Sequence, residues 1–323
     1  MKQLNKKRIL VKILEELSTE MGFEVQFLSE DWITIIKRQN KVGYIYGYEW
    51  GINSSTAQLL AKDKEATYEI LSRNHINAIE HKLFFNYNWQ AKYIGQKGCW
   101  AEIMKYVQKC QSDGNYRIVC KPNKGTGGND VSRISNQWEL ESTVQKMFSK
   151  YHDLCLCPFY NIENEYRVIF LNGKSLLLYA KERPYIVGNG KDTLATLVIA
   201  KYKEQGLSYL NDLLEKLELI VPKGEKVVMS WKHNLGNGAN AIIIEDESLK
   251  AKLAEFVKLA ADALDIKFAS IDIVVSNGTY YIMEVNSGIM IENFAAQQPN
   301  ARYNYYEITK DIYRLAVTTL LEQ

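Results

Sequence analysis

Two stretches of this 323-residue chain carry residue types that do chemistry. The first is KPNKGTGGNDV, residues 121–131, with three glycines, two lysines and a threonine in a run too polar for a core. Glycine backbone lets a ligand approach closely and turns its N–H groups toward anionic oxygens, which suits phosphate. Neither the phosphate-loop spacing G-x-x-x-x-G-K-[ST] nor G-x-G-x-x-G is present, however. The second stretch is SIDIVVSNGTYYIMEVN, residues 270–286. Asp272 lies on its incoming strand, and Glu284 and Asn286, two apart on the returning strand, share a face. Hard oxygen donors gathered in this way suit Mg²⁺, which takes one or two carboxylates and leaves its other positions to water and substrate phosphates. The same acids also read as solvated residues on a sheet face. A two-residue turn at Asn277-Gly278 would pair Asp272 with Met283 and send Glu284 to the opposite face. The metal reading therefore requires an odd loop or a bulge. We expect a three-residue connection with Gly278 left-handed, making Asp272 and Glu284 cross-strand neighbours.

The elements that position these stretches follow from periodicity. Residues 7–21 repeat apolar positions at helical spacing, FEVQFL alternates like a strand, and 32–48 read as further strands with a turn near Asn40. Together they predict a small N-terminal α/β unit, residues 1–60. Asp63 caps a helix KEATYEILSRN, and the strand YRIVCKP runs directly into the glycine-rich loop, which leaves through VSRI. Asn136 with Glu139 three residues on makes a capping box for a helix to about Lys150. LCLCPFY reads as a strand, and Asn172-Gly173 between apolar runs is a hairpin signal. An insertion spans about 184–229, the helix LKAKLAEFVKLAADAL precedes the second hairpin, and a helix closes the chain. The expected division is 1–60, 61–157 carrying the glycine-rich loop, and 158–323 carrying the insertion and the acidic hairpin.

Composition narrows the function classes. Forty Lys+Arg against 38 Asp+Glu leave a formal charge of +2, so no bulk field draws the chain to nucleic acid or membrane, and the basic NKKR reads as a solvated helix start. No apolar run approaches the ~18 residues of a membrane span, so a cytoplasmic location is expected. The five cysteines, 99, 110, 120, 155 and 157, show no C-x-x-C, and a disulfide framework is not expected. The four histidines are too scattered for a zinc motif, and G-x-S-x-G is absent.

A strand ending in Lys, a glycine-rich loop, a hinge-like strand and then D…E-x-N on a late hairpin resemble, in that order, the ATP-grasp superfamily of carboxylate–amine ligases, of the cyanophycin synthetase and glutathione synthetase kind. The likeness runs over about residues 52–294. It includes SSTAQLLAKDKEAT, EYRVIFLNG, RPYIVGNGKDTLATLV and KHNLGNGANA. The resemblance implies an α+β ATP-grasp fold, two lobes clamping ATP. It implies that Lys64 and Lys121 meet the α- and β-phosphates. Gly125, Thr126, Gly127 and Gly128 would close over the β- and γ-phosphates, with Asn234 also on the nucleotide. Backbone around Cys157 and Phe159 would read adenine, and Glu163 the ribose. Asp272, Glu284 and Asn286 match the Mg²⁺ ligands. Arg167, with Lys181 and Lys232, is expected to stabilise developing charge, and Ser287, Gly288 and Arg302 to line the substrate side. The implied activity is ATP-dependent amide formation through an acyl phosphate. The implied partners are small-molecule amino acids or peptides, with neither nucleic acid nor membrane; a homodimer stays open. A ligase that tailors a ribosomal peptide, with 1–60 binding its leader, and a non-catalytic nucleotide-binding module are the alternatives. The chain departs from the family pattern at Cys157-Pro158-Phe159, at Ser287-Gly288 in place of Pro-Gly, at Gly238-Ala239 and in its short N-terminal unit.

Overall fold

Apolar residues alternating along 24–50 build a four-stranded antiparallel sheet, β1 (Glu24–Leu28), β2 (Ile33–Arg38), β3 (Lys41–Tyr46) and β4 (Glu49–Trp50), preceded by helix α1 (Ile9–Met21). The structure, a computed structural model, describes residues 7–88, 95–111, 116–125, 127–203, 209, 213–298 and 300–323. α1 ends at Gly22, whose φ of 67° and N–H bond to the Ser18 carbonyl make a left-handed cap. At Gly43 a Cβ would stand 2.5 Å from Leu320, so the closing helix lies directly on the β3 backbone.

Helices α2 (Ser55–Lys62) and α3 (Lys64–Arg73) follow, joined by Asp63, whose side chain accepts the Ala66 N–H as expected for a cap. A second sheet, order β5-β8-β6-β7, comprises β5 (Lys82–Phe85), β6 (Ile118–Lys121), β7 (Ser132–Ile134) and β8 (Asp153–Pro158). Its core includes residues of α4 (Trp100–Cys110) and α5 (Gln137–Lys150). At the start of α5 Asn136 accepts the Glu139 N–H, while Glu139 reaches back to the N–H of Ser135, one residue before the position a capping box uses.

The largest sheet is antiparallel, order β13-β10-β9-β14-β15, from β9 (Asn164–Leu171), β10 (Lys174–Glu182), β13 (Asn240–Ile243), β14 (Phe268–Ser276) and β15 (Thr279–Asn286). Between β10 and β13 the insertion forms a two-stranded piece, β11 (Tyr185–Val187) with β12 (Lys226–Val228), packed by α6 (Leu194–Tyr202). One face of the large sheet is buried against α7 (Glu247–Ala263), α2 and α3. The other face has three zones: an apolar end shared with α1, the first sheet and the closing helices α8 (Glu292–Ala295) and α9 (Tyr305–Glu322), a charged middle, and a second apolar end beneath the β6–β8 strands. Segment 77–79 crosses between lobes by pairing with the β15 edge, Ile79 donating to Ile282 and Ile282 to Asn77 at 2.9 Å each.

The acidic hairpin corrects one expectation. Ser276 pairs with Thr279, so the connection is the two residues Asn277 and Gly278, with φ of 49° and 70°, and no three-residue loop forms. Two positive φ values match the twist of the flanking strands, which is why Asn-Gly takes this turn. The odd residue is absorbed inside the strand: the register shifts between Asp272 and Ile273, leaving Met283 as the extra residue of a bulge. Asp272 and Glu284 are cross-strand partners all the same.

Candidate active site

The charged middle zone is built by register. Asp272 on β14 pairs with Arg167 on β9 on one side and Glu284 on β15 on the other, so three neighbouring strands bring their polar residues to one row. Arg167 grips Asp272 with two parallel bonds of 2.7 Å, Nε to Oδ1 and Nη2 to Oδ2. This fork geometry is specific to guanidinium. Lys181 Nζ lies 2.9 Å from Asp272 Oδ2 and 2.6 Å from Glu165 Oε1. From the α3 start, Lys64 Nζ reaches Glu284 Oε1 at 3.0 Å and also donates to the carbonyls of Asn123 at 2.8 Å and Gly125 at 3.2 Å. Three carboxylates thus face three cations, and this group of six is neutral overall.

Burial sets the protonation states. Burial pushes Asp272 upward, but Arg167 and Lys181 outweigh it and hold the carboxyl at about 2. For Glu165 burial wins over Lys181 and its value is raised. Burial and Arg167 push Lys181 down, but Asp272 and Glu165 prevail and keep it charged. His233, whose Nδ1 is 3.4 Å from Glu165 Oε2, falls to about 4 through burial and then the charges of Arg183 and Lys181, so it is neutral near pH 7. His81, also buried, is lowered far below its ordinary value by burial, Lys121 and Lys64. Its Nε2 has no partner among the described residues, and it lines a small pocket with Lys64, Thr67 and Glu284. Neither histidine carried a signal in the sequence beyond His233 standing next to Asn234.

The glycine-rich loop lies over this zone from the other lobe. Gly127 and Gly128 both have φ of 70°, and a Cβ on Gly128 would stand 2.9 Å from Asn234 Nδ2. Asn234 Nδ2 donates to the Gly127 carbonyl, latching the loop to the 234–238 turn. Thr126 lies outside the described residues. Lys232 donates to the Val131 carbonyl at 3.0 Å, where the loop leaves. Lys121, at the end of β6, has no ion-pair partner among the described residues. Beyond it Val119, Cys157, Ile79 and Val274 form an apolar floor with Phe159, Tyr160 and the bulged Met283 around it. The Phe159 N–H is taken by the Arg117 carbonyl at 2.8 Å and its ring by the Arg133 guanidinium 4.2 Å from the centroid, so towards a base Phe159 offers its carbonyl.

Other expected residues serve elsewhere. Glu163 accepts the N–H groups of Asn277 and Gly278, at 2.8 and 3.4 Å, and holds the hairpin turn, so a ribose contact would share those oxygens. Arg302 pairs with Glu245 at the exposed surface beyond β13, where Tyr303 also donates to Glu245, and is not brought to the charged zone. Ser287 and Gly288 do lie against the site's end, where both meet Glu49 of β4, a residue the sequence reading did not single out.

The donor set fits a hard divalent cation. Asp272 Oδ1 keeps a lone pair beyond its Arg167 bond, and among the described residues Glu284 Oε2 and the Asn286 amide have no partner. Two carboxylates and an amide oxygen are what Mg²⁺ takes when phosphates supply the rest. Among the described residues no three His, Cys, Asp or Glu side chains are placed to hold a metal ion by themselves, so this mixed set is the candidate.

Comparison with known proteins bears on this geometry. No family model matches the chain. It covers 94% of itself on a bifunctional glutathione synthetase from Pasteurella multocida with a TM-score of 0.58 at 15% identity, and 84% of itself on a D-alanine–D-alanine ligase from Bacillus anthracis with a TM-score of 0.53 at 15% identity. The chain has the ATP-grasp fold. ATP-grasp likeness extends to sequence: the chain is 23% identical over 257 residues to cyanophycin synthetase of Trichormus variabilis, covering 73% of the chain, and 22% identical over 307 residues to the bifunctional glutathione biosynthesis protein GshAB of Clostridium perfringens, covering 88%. The matched parts are 26% and 37% of those relatives, and 44% and 69% of the two solved chains. The resemblance to ATP-grasp carboxylate–amine ligases therefore holds in fold and in sequence. Among the described residues, no helix is long and apolar enough to cross a membrane.

Proposed function

We propose that this chain is an ATP-dependent carboxylate–amine ligase that makes an amide bond through an acyl phosphate, with an amino acid or peptide as substrate. The observation that carries this reading is the junction at Lys64. One ammonium joins the acidic hairpin, through Glu284, to the backbone of the glycine-rich loop, through Asn123 and Gly125. A triphosphate laid along that line meets Lys64, Lys121 and the loop N–H groups, with its base over the Val119–Cys157–Met283 floor. Asp272, Glu284 and Asn286 would hold Mg²⁺, which when bound neutralises phosphate charge.

A carboxylate acylates poorly, so its oxygen first attacks the γ-phosphorus and the bond to ADP breaks. The amine then attacks the acyl carbon, the bond to phosphate oxygen breaks, and the amine gives up a proton. Both steps gather negative charge on oxygen. Arg167 and Lys181 are held rigid by Asp272 and Glu165, so their charge is preorganised rather than recruited from water. The latched loop excludes water that would hydrolyse the acyl phosphate. Positioning and electrostatics carry the rate, and no protein nucleophile is needed.

The test is calorimetry with Mg·ATP, followed by ADP release with amino-acid pairs and mass spectrometry of the product. Lys121→Ala and Glu284→Ala are expected to abolish turnover. Absence of any heat with Mg·ATP would remove the reading.

A further inference from the structure

Glu49 is contributed by β4 of the N-terminal sheet and reaches the end of the acidic hairpin, where it bridges to Gly288 in antiparallel fashion. Its Oε1 accepts the Ser287 hydroxyl at 3.1 Å and lies 3.0 Å from Lys62 Nζ. Its Oε2 is buried and has no hydrogen-bond partner among the described residues. A buried carboxylate oxygen without a donor is costly, and such a group asks for an explanation. The approach is also tight: a Cβ on Gly288 would stand 2.9 Å from Glu49 Oε1, so the absence of a side chain at 288 is what lets this carboxylate come in. Ser287 adjoins Asn286, and Lys62 is two residues from Lys64, whose Nζ holds Glu284. The acid therefore sits beside the reaction zone, on the side away from the apolar base floor.

We propose that Glu49 recognises the α-ammonium of the amino acid whose carboxylate is phosphorylated; this rests on the ligase reading and names its donor substrate. A carboxylate favours the charged form of a neighbouring amine. It would hinder the attacking amine, which must be neutral, but it suits an ammonium that stays charged throughout. That assigns Glu49 to the donor and not to the acceptor. Lys62 is the counter-ion of this carboxylate. The Lys62 side chain is 45% exposed and the Glu49 side chain 18% exposed, so an incoming ammonium takes the place of Lys62 at Oε1 as Lys62 swings aside, and the carboxylate turns to bring the buried Oε2 within its reach. The N-terminal unit thereby supplies a substrate contact.

The experiment uses the full chain with Mg·ATP, hydroxylamine as the trapping amine, and free L- and D-amino acids each compared with its N-acetyl form. Hydroxamate is expected from one or more free amino acids and at least about ten-fold less from the N-acetyl counterpart, since a charged hydrogen bond is lost. Glu49→Gln should raise the donor KM roughly 10- to 100-fold and leave the ATP KM unchanged. Lys62→Gln, which removes the competing cation, should lower the donor KM. Opposite signs at two touching residues are not what a merely structural role gives. N-acetyl donors used as well as free ones, a Glu49→Gln donor KM equal to that of the unaltered chain, or a Lys62→Gln change in the same direction as Glu49→Gln would each overturn the assignment. Heat on Mg·ATP binding with no hydroxamate from any free amino acid overturns it as well, whereas silence toward Mg·ATP itself defeats the ligase reading first.

Discussion

Replacing Arg167 by Met tests the charged zone most directly. Met is close to Arg in length but carries no charge, so the cavity stays filled while both 2.7 Å bonds to Asp272 are lost. Asp272, 2% exposed, would keep only Lys181, which it shares with Glu165. Two buried carboxylates would then face one ammonium. Removing one partner of a buried pair costs about 3–5 kcal/mol, because the remaining charge is desolvated without compensation. At about 2–4 °C per kcal/mol for domains of a couple of hundred residues, the melting temperature should fall ~6–20 °C. The pH dependence has a definite sign. In the unaltered chain Asp272 is lowered from 3.8 to about 2, so its stabilisation is complete above 3.8 and lost as pH falls through about 2. In Arg167→Met burial is less opposed, Asp272 titrates higher, and protonation relieves the unpaired charge. The deficit relative to the unaltered chain is therefore largest at pH 7 and shrinks toward acid. Urea unfolding at pH 7 and pH 4.5 measures both quantities, and Arg167→Met with Asp272→Asn should recover part of the loss. A deficit below about 1 kcal/mol at pH 7, or one that grows in acid, would refute the buried fork as an energetic element.

Three further outcomes follow from the same geometry. His233 drops from 6.5 to about 4, so its contribution is complete above 6.5 and lost as pH falls through about 4; His233→Gln should flatten the acid limb of stability over that window by up to ~3 kcal/mol, read from denaturant melts. Gly128→Ala places a side chain at φ 70° against Asn234 and should weaken the loop latch by ~1–2 kcal/mol, seen as weaker Mg·ATP binding in calorimetry with the melting temperature little changed. Because the six charged groups balance, Mg²⁺ added alone should give little heat while Mg·ATP binds, and comparable heat from Mg²⁺ alone would contradict that balance.

Much of this molecule is legible one segment at a time. Asp63 and Asn136 cap the helices they precede because a short acceptor side chain bonds N–H groups only two or three residues on. Asn172-Gly173 and Asn277-Gly278 turn their hairpins because both residues accept positive φ. The order of glycine-rich loop, hinge and acidic hairpin carries the ATP-grasp likeness, since it needs only residue types in sequence.

Register and contact across long separations are of another kind. The Asn-Gly turn by itself puts Met283 opposite Asp272; only the packed sheet, with Met283 bulged into the apolar floor, makes Glu284 the neighbour of Asp272. Likewise Arg167 lies 105 residues from Asp272, and Glu49 lies 238 residues from Ser287. Local propensity reaches a few residues along the chain, whereas an ion pair or a buried orphan oxygen exists only once folding has closed such loops and removed water from between the strands. The residue types and their order were set by the sequence; which carboxylate faces which cation was decided by tertiary structure, because Coulomb and desolvation energies depend on distances in space.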